Sequence, residues 1–141
     1  MTHALKQDKK TVPISHANCI FCGRSHPLGL GMRFALNDDH SVETTFTGNS
    51  LLQGYRGILH GGVIAGLLDA AMTNCLFLNG IEAYTADLNV RYRHPIPYNA
   101  DLKVIAQITN ERSVIYELES FIYEGARVMA KANARFMKPF G

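Results

Sequence analysis

Asp69 is the residue that a plain folding argument accommodates least well. It sits in Gly66-Leu67-Leu68-Asp69-Ala70-Ala71-Met72, where an ionised carboxylate is costly to bury without partners. In a partly apolar cleft such a group becomes a better base or nucleophile; at a solvated edge or in an interface ion pair it would only solubilise the helix. Eight residues earlier comes His60-Gly61-Gly62. Two glycines at a helix start expose unsatisfied N–H groups without Cβ obstruction, and the helix dipole adds partial positive charge there. An oxyanion could sit at that point; the plainer alternative is a loop-to-helix turn that needs glycine for its dihedrals. Two helical turns, about 11 Å of rise, separate the Gly61 amide from Asp69, so one helix cannot easily present both to the same carbonyl group. A two-fold dimer, with the Gly61 end of one protomer facing Asp69 of the other, would give two equivalent sites.

These groups need a helix to carry them. Val63, Leu67, Ala71 and Leu78, with Ile64, Leu68 and Cys75 beside them, recur at helical spacing, and Asn79-Gly80 is a plausible stop. On that helix Gly62, Ala65 or Gly66, Asp69 and Thr73 share a small, polar face that permits close approach by another backbone or a slender ligand. Upstream, the glycines of Pro27-Leu28-Gly29-Leu30-Gly31 lead into Met32–Leu36, Asn37-Asp38-Asp39 turns, and Ser41–Thr47 returns, predicting a first hairpin. Downstream, four stretches alternate with period two: Ala86/Leu88/Val90/Tyr92, Leu102/Val104/Ala106/Ile108, Val114/Tyr116/Leu118 and Val128/Ala130/Ala132/Ala134/Phe136. Turns fit at Pro95–Asn99, Asn110-Glu111-Arg112 and Glu124-Gly125. The order predicts an α+β fold, an antiparallel sheet of five to six strands against one long helix.

Composition bounds the rest. The chain has 141 residues, 47% apolar and 18% charged, which predicts one globular domain over residues 19–141 behind a polar lead-in over residues 1–18. A formal charge of +2 is too mild for a dedicated nucleic-acid binder. The N-terminal stretch carries lysines but no apolar signal region, and the apolar runs are expected to fall short of a membrane span, so a cytoplasmic protein is expected. Cys19, Cys22 and Cys75 are odd in number and do not describe a disulfide framework. His16, Cys19, Cys22 and His26 form H-x2-C-x2-C-x3-H, superficially four zinc ligands within eleven residues. That spacing is compressed, because tetrahedral sites usually join two ligand pairs from separate turns. The reading preferred here is a tight turn bending at Gly23, with the thiols buried as small hydrophobes. No metal or redox cofactor is called for, and a single CxxC without a basic stripe argues against a zinc-ribbon nucleic-acid binder.

The stretch GYRGILHGGVIAGLLDAA, followed by YTADLNVRYRHPIP, resembles the signature of the hotdog superfamily, specifically its PaaI-like acyl-CoA thioesterases. The likeness runs from about Cys19 to Phe136. Its most specific feature is HGG-x6-D with a hydroxyl residue sixteen positions later, Thr85; a CxxCG-x3-P-x-GL segment is similar to that of some members. The resemblance implies a sheet curled round the helix, pairing of two units into a continuous double sheet, and often a dimer of dimers. It implies roles as well: the Gly61 N–H as oxyanion donor, His60 bracing the loop, Asp69 activating water or attacking directly, and Thr85 orienting that water. Substrate contacts would come from Gly62, from Arg93 at the phosphates of coenzyme A ahead of Arg91, Arg112 and Lys138, and from Gln53. Many relatives carry Asn where this chain has Gly54, so Gln53 is the candidate substitute. Strand parity poses a further question, because it groups Thr85 with Asp87, Asn89 and Arg91, away from Leu88 and Val90. Thr85 can reach Asp69 only through an irregular strand start or across a dimer. Other readings are a hotdog hydratase or dehydratase, disfavoured because Asn74 stands where Asp-x4-His would place a histidine, and a non-catalytic acyl-CoA-binding protein.

Overall fold

A computed structural model describes residues 13–139, and the first twelve residues of the expected lead-in lie outside the described residues. Six strands and one long helix follow in the order β1 (Ala35–Leu36), β2 (Val42–Thr47), α1 (Gly61–Leu78), β3 (Tyr84–Tyr92), β4 (Asp101–Arg112), β5 (Ile115–Glu124) and β6 (Arg127–Met137). The strands form one antiparallel sheet in the order β1-β2-β4-β5-β6-β3. This is the hotdog arrangement, with the sheet wrapped on α1.

The alternation of side chains explains the wrapping. Leu102, Val104 and Ala106 of β4, Tyr116, Leu118 and Ile122 of β5, and Ala130, Ala132, Ala134 and Phe136 of β6 are buried, one face of each strand turned to the helix. The helix meets them with Ile64, Leu67, Leu68, Ala71, Met72, Cys75 and Leu76, all buried and spaced by threes and fours. Small alanines along β6 let α1 lie close, and polar groups caught beneath it are satisfied: Ser120 Oγ donates to Leu68 O at 3.1 Å and Asn74 Nδ2 to Ala70 O at 2.8 Å.

Both ends of α1 are built as the residue types suggest. His60 is the N-cap, its Nδ1 accepting from the Gly62 N–H. At the other end Gly80 takes φ +79°, and the Gly80 and Ile81 N–H groups return to Phe77 O and Leu76 O at 3.0 and 2.8 Å. This is a Schellman closure, which glycine permits because it has no Cβ to clash at positive φ.

Three sequence expectations are corrected. By length and composition the 18 residues of α1 could cross a membrane, so the apolar runs do not all fall short of a span; here the apolar faces of the helix are covered by the sheet. Asn110-Glu111-Arg112 is not a turn, since it prolongs β4 opposite Glu117, Tyr116 and Ile115. A bulge between Ile108 and Asn110 takes up the extra residue, Asn110 Nδ2 donates to Glu117 Oε2 at 2.9 Å, and the chain reverses at Ser113-Val114, with Ser113 at φ +57°. The polar run resembles a turn because residues 109–112 of β4 are all exposed. Finally, only Ala35–Leu36 of the expected first strand pairs with β2, although Met32 and Phe34 ahead of it are buried.

Candidate active site

The α1 N-terminus is set by the loop that precedes it. Asn49 Oδ1 accepts from the Leu51 N–H at 2.9 Å and starts a 3-10 turn over Ser50–Leu52. Leu59 N–H then donates to Ile96 O and His60 N–H to Leu52 O, both at 2.8 Å. His60 follows with φ −60° and ψ 136°, and its Nδ1 accepts from the Gly62 N–H at 2.8 Å. The Ile64 N–H is taken by His60 O at 3.0 Å. The Gly61 N–H keeps no acceptor among the described residues, which makes it one of the orphan donors that a helix start supplies.

Tyr92, at the far end of β3, donates its hydroxyl to Gly61 O at 2.8 Å and ties the strand to this terminus. The two border a cavity of about 700 Å³ that is also lined by Tyr55, His60, Ile64 and Arg93. Of the basic candidates, Arg93 alone lines it. Gln53 does not: its Oε1 accepts from the Gly57 N–H at 2.9 Å and its Nε2 donates to Ser50 O at 3.0 Å, so its amide closes its own loop.

Asp69 lines a different cavity, of about 470 Å³, with Ser15, His16, Thr73, Phe77 and Thr85. Thr85 Oγ1 donates to Asp69 Oδ1 at 2.8 Å. The parity question is answered within one protomer: Thr85 opposes Phe136 and Asp87 opposes Arg135, so the register shifts by one at Ala86. The bulge turns Thr85 onto the inner face shared by Leu88, Val90 and Tyr92, which oppose the buried Ala134, Ala132 and Ala130. Burial raises the Asp69 carboxyl above its ordinary value, opposed by the Thr85 hydrogen bond and by His16. Burial likewise lowers the His16 imidazole, against the pull of Asp69 and Glu82.

Gly66, one turn before Asp69, does not open the small-residue face to a ligand. A Cβ there would lie 2.0 Å from Phe21 Cζ, so the notch is filled by the ring of Phe21. Sequence reasoning also missed Tyr92 and His16 as parts of these cavities. Tyr92 was legible, since it shares the inward parity of Leu88 and Val90; His16 was not, because nothing local tells that residues 13–18 fold back onto α1.

The cysteine cluster is partly assembled. His16, Cys19 and Cys22 place their ligand atoms within 4.8 Å of one another, whereas His26 stands apart, its Nδ1 accepting from the Leu28 N–H at 3.0 Å. Burial pushes the Cys22 thiol up to about 12 and the Cys75 thiol, inside the core, to about 11.

Known proteins share this fold. The acyl-coenzyme A thioesterase THEM4 of Mus musculus is 36% identical over 88 residues, 60% of this chain and 38% of that protein. The chain therefore spans well under half the length of the curated relatives it matches, 34% for the Bos taurus protein. A thioesterase superfamily protein of known crystal structure superposes with a TM-score of 0.77 at 26% identity, covering 82% of this chain and 60% of the other. The PaaI protein from the phenylacetic acid degradation operon of E. coli superposes with a TM-score of 0.72 at 18% identity over 79% and 82% of the two chains. A family model of the thioesterase superfamily matches residues 56–130, a stretch holding both the Gly61 terminus and the Asp69–Thr85 pair, and this chain belongs to that superfamily.

Proposed function

We propose that this chain hydrolyses acyl-CoA thioesters at a site completed by two protomers, with Asp69 from one and the Gly61 N–H from its partner. The observation that carries this reading is the placement of β3. That strand holds Asp69 at its Thr85 end and Gly61 at its Tyr92 end, it is an outer strand of the sheet, and it is exposed along nearly its whole length. Antiparallel pairing of β3 with its own copy sets the Tyr92 end of one strand beside the Thr85 end of the other. The two cavities, which share no lining residue in one protomer, would then face each other. Closed pairing also removes an exposed sheet edge.

In this reading the substrate carbonyl oxygen accepts from the Gly61 N–H, and Asp69 takes a proton from water as the water oxygen bonds to the carbonyl carbon. Collapse of the tetrahedral intermediate breaks the C–S bond, and the coenzyme A sulfur recovers a proton from Asp69. Thr85, donating to Asp69, keeps lone pairs to accept a hydrogen bond from that water. The 700 Å³ cavity receives the acyl or pantetheine portion, with Arg93 toward the phosphates. One oxyanion donor is worth about 3–4 kcal/mol, and a positioned base roughly 10²–10⁴-fold in rate. The name of the mouse relative, an acyl-coenzyme A thioesterase, agrees with this choice of substrate.

A thiol-release assay over short, long and aromatic acyl-CoAs tests the reading. Wild type should turn over at least one class, and Asp69→Asn should lose at least about 100-fold in kcat. Saturable acyl-CoA binding with no thiol released from any substrate would favour a non-catalytic binding protein, and near-wild-type turnover by Asp69→Asn would remove Asp69 from the chemistry.

A further inference from the structure

We propose that His16, Cys19 and Cys22 bind one zinc ion, which fixes the conformation of the turn over residues 16–22 that packs on α1 beside the Asp69 cavity. Three soft or borderline donors of the kinds zinc selects, two sulfurs and one imidazole, already lie within 4.8 Å of one another. A tetrahedral zinc with sulfur at about 2.3 Å and nitrogen at about 2.0–2.1 Å requires donor separations of under about 4 Å, so small side-chain adjustments close the set.

The backbone around the three donors is shaped for this. Cys19 N–H donates to His16 O at 3.1 Å, Gly23 N–H to Cys19 O at 2.9 Å and Ser25 N–H to Ala17 O at 2.9 Å, so the ligands come from successive turns of one knuckle. A Cβ on Gly23 would lie 2.3 Å from Ala17 O and 2.4 Å from Cys19 N, which restricts this position to glycine. The segment is braced from α1: the His16 ring meets Phe77 edge-on at 5.1 Å, and the Phe21 ring fills the notch at Gly66. These contacts hold the segment, and with it the three donors, in place against the helix. Two thiolates balance the charge of a divalent cation, so the buried set is neutral once the ion has displaced two thiol protons to solvent.

The fourth position falls to water or to a group at the cavity that His16 shares with Asp69. The ion's part is to hold Ser15 and His16 as a wall of that cavity and Phe21 in the Gly66 notch. The site stands whether or not the chain hydrolyses thioesters.

The 141-residue chain, purified under reducing conditions, is titrated with cobalt(II) chloride and then with zinc chloride. One equivalent of cobalt should bind with a thiolate-to-cobalt charge-transfer absorption, and zinc should displace it. Cys19→Ser and His16→Ala, both at half-buried positions, should each weaken zinc binding by more than the roughly 10–100-fold typical of outer contacts. Reduced protein with three titratable thiols that takes up no cobalt overturns the proposal. So does a charge-transfer band undiminished in both folded variants, which would put the metal elsewhere, or a Cys19–Cys22 disulfide whose reduction does not restore metal uptake.

Discussion

The hydrogen bond from Thr85 to Asp69 makes two predictions. Burial raises the Asp69 carboxyl, and the Thr85 hydroxyl partly restrains that rise by stabilising the charged form. With Asp69 as the base proposed above, Thr85→Ala should therefore move the acid limb of the kcat/KM profile to higher pH, because a base must be ionised to accept a proton. A limb that stays in place while the rate falls would mean that Thr85 does not act through Asp69. The second prediction concerns stability. A carboxyl raised in the folded state binds its proton more tightly there, so its contribution is full below the ordinary value near 3.8 and is lost as pH rises through the folded value. Asp69→Asn cannot ionise and keeps that contribution. It should melt above wild type at pH 7, with the gap closing as pH falls toward 3.8; calorimetry at several pH values checks the sign.

At the scale of elements, α1 carries the site by its two special positions. Gly66 admits the Phe21 ring where a Cβ would lie 2.0 Å from Cζ. On helix propensity alone Gly66→Ala should stabilise by about 1 kcal/mol. Seating of Phe21 reverses the sign, and a net loss of about 1–2 kcal/mol is expected from overpacking, read from the urea midpoint. A stabilised variant would mean that Phe21 does not occupy the notch. At Gly61, proline removes the orphan N–H while suiting the first helical position. His60 before it already holds φ −60° and ψ 136°, a geometry compatible with a following proline, and the nearest atom to a Gly61 Cβ is Tyr92 Oη at 3.6 Å. Gly61→Pro should keep the fold by circular dichroism and lose about 10²–10³ in kcat; full activity would dismiss the amide as oxyanion donor.

For the whole molecule, the decisive feature is that α1 holds Gly61 and Asp69 about two helical turns apart along its axis and in separate cavities. If two protomers share each site, Asp69→Asn and Gly61→Pro are defects of opposite halves. Refolded together in equal amounts, half of the dimers are mixed, and each of those has one intact site and one doubly defective site. Thiol release should return to about a quarter of wild type from two nearly inactive proteins. Recovery absent from a mixture shown by mass spectrometry to contain mixed dimers would place both groups in a single chain's site, or one of them outside it.

The sequence by itself determined the element order, the sheet class and the groups with chemical potential, because these depend on local periodicity and on where polar residues interrupt it. Asp69 in an apolar helix, glycines at a helix start and alternating strands are all legible one segment at a time. Tertiary structure alone decided which of those groups meet. The one-residue bulge at Ala86 turns Thr85 onto the Asp69 face, and a strand's parity cannot be read across a bulge that only pairing with β6 reveals. The Gln53 amide closes its own loop, the Phe21 ring fills the Gly66 notch, and His16 reaches both the cysteines and the Asp69 cavity. Each is a contact between segments far apart in the chain or a choice among hydrogen-bond partners. Such contacts are settled by packing the sheet on the helix, and no spacing of residue types encodes that locally.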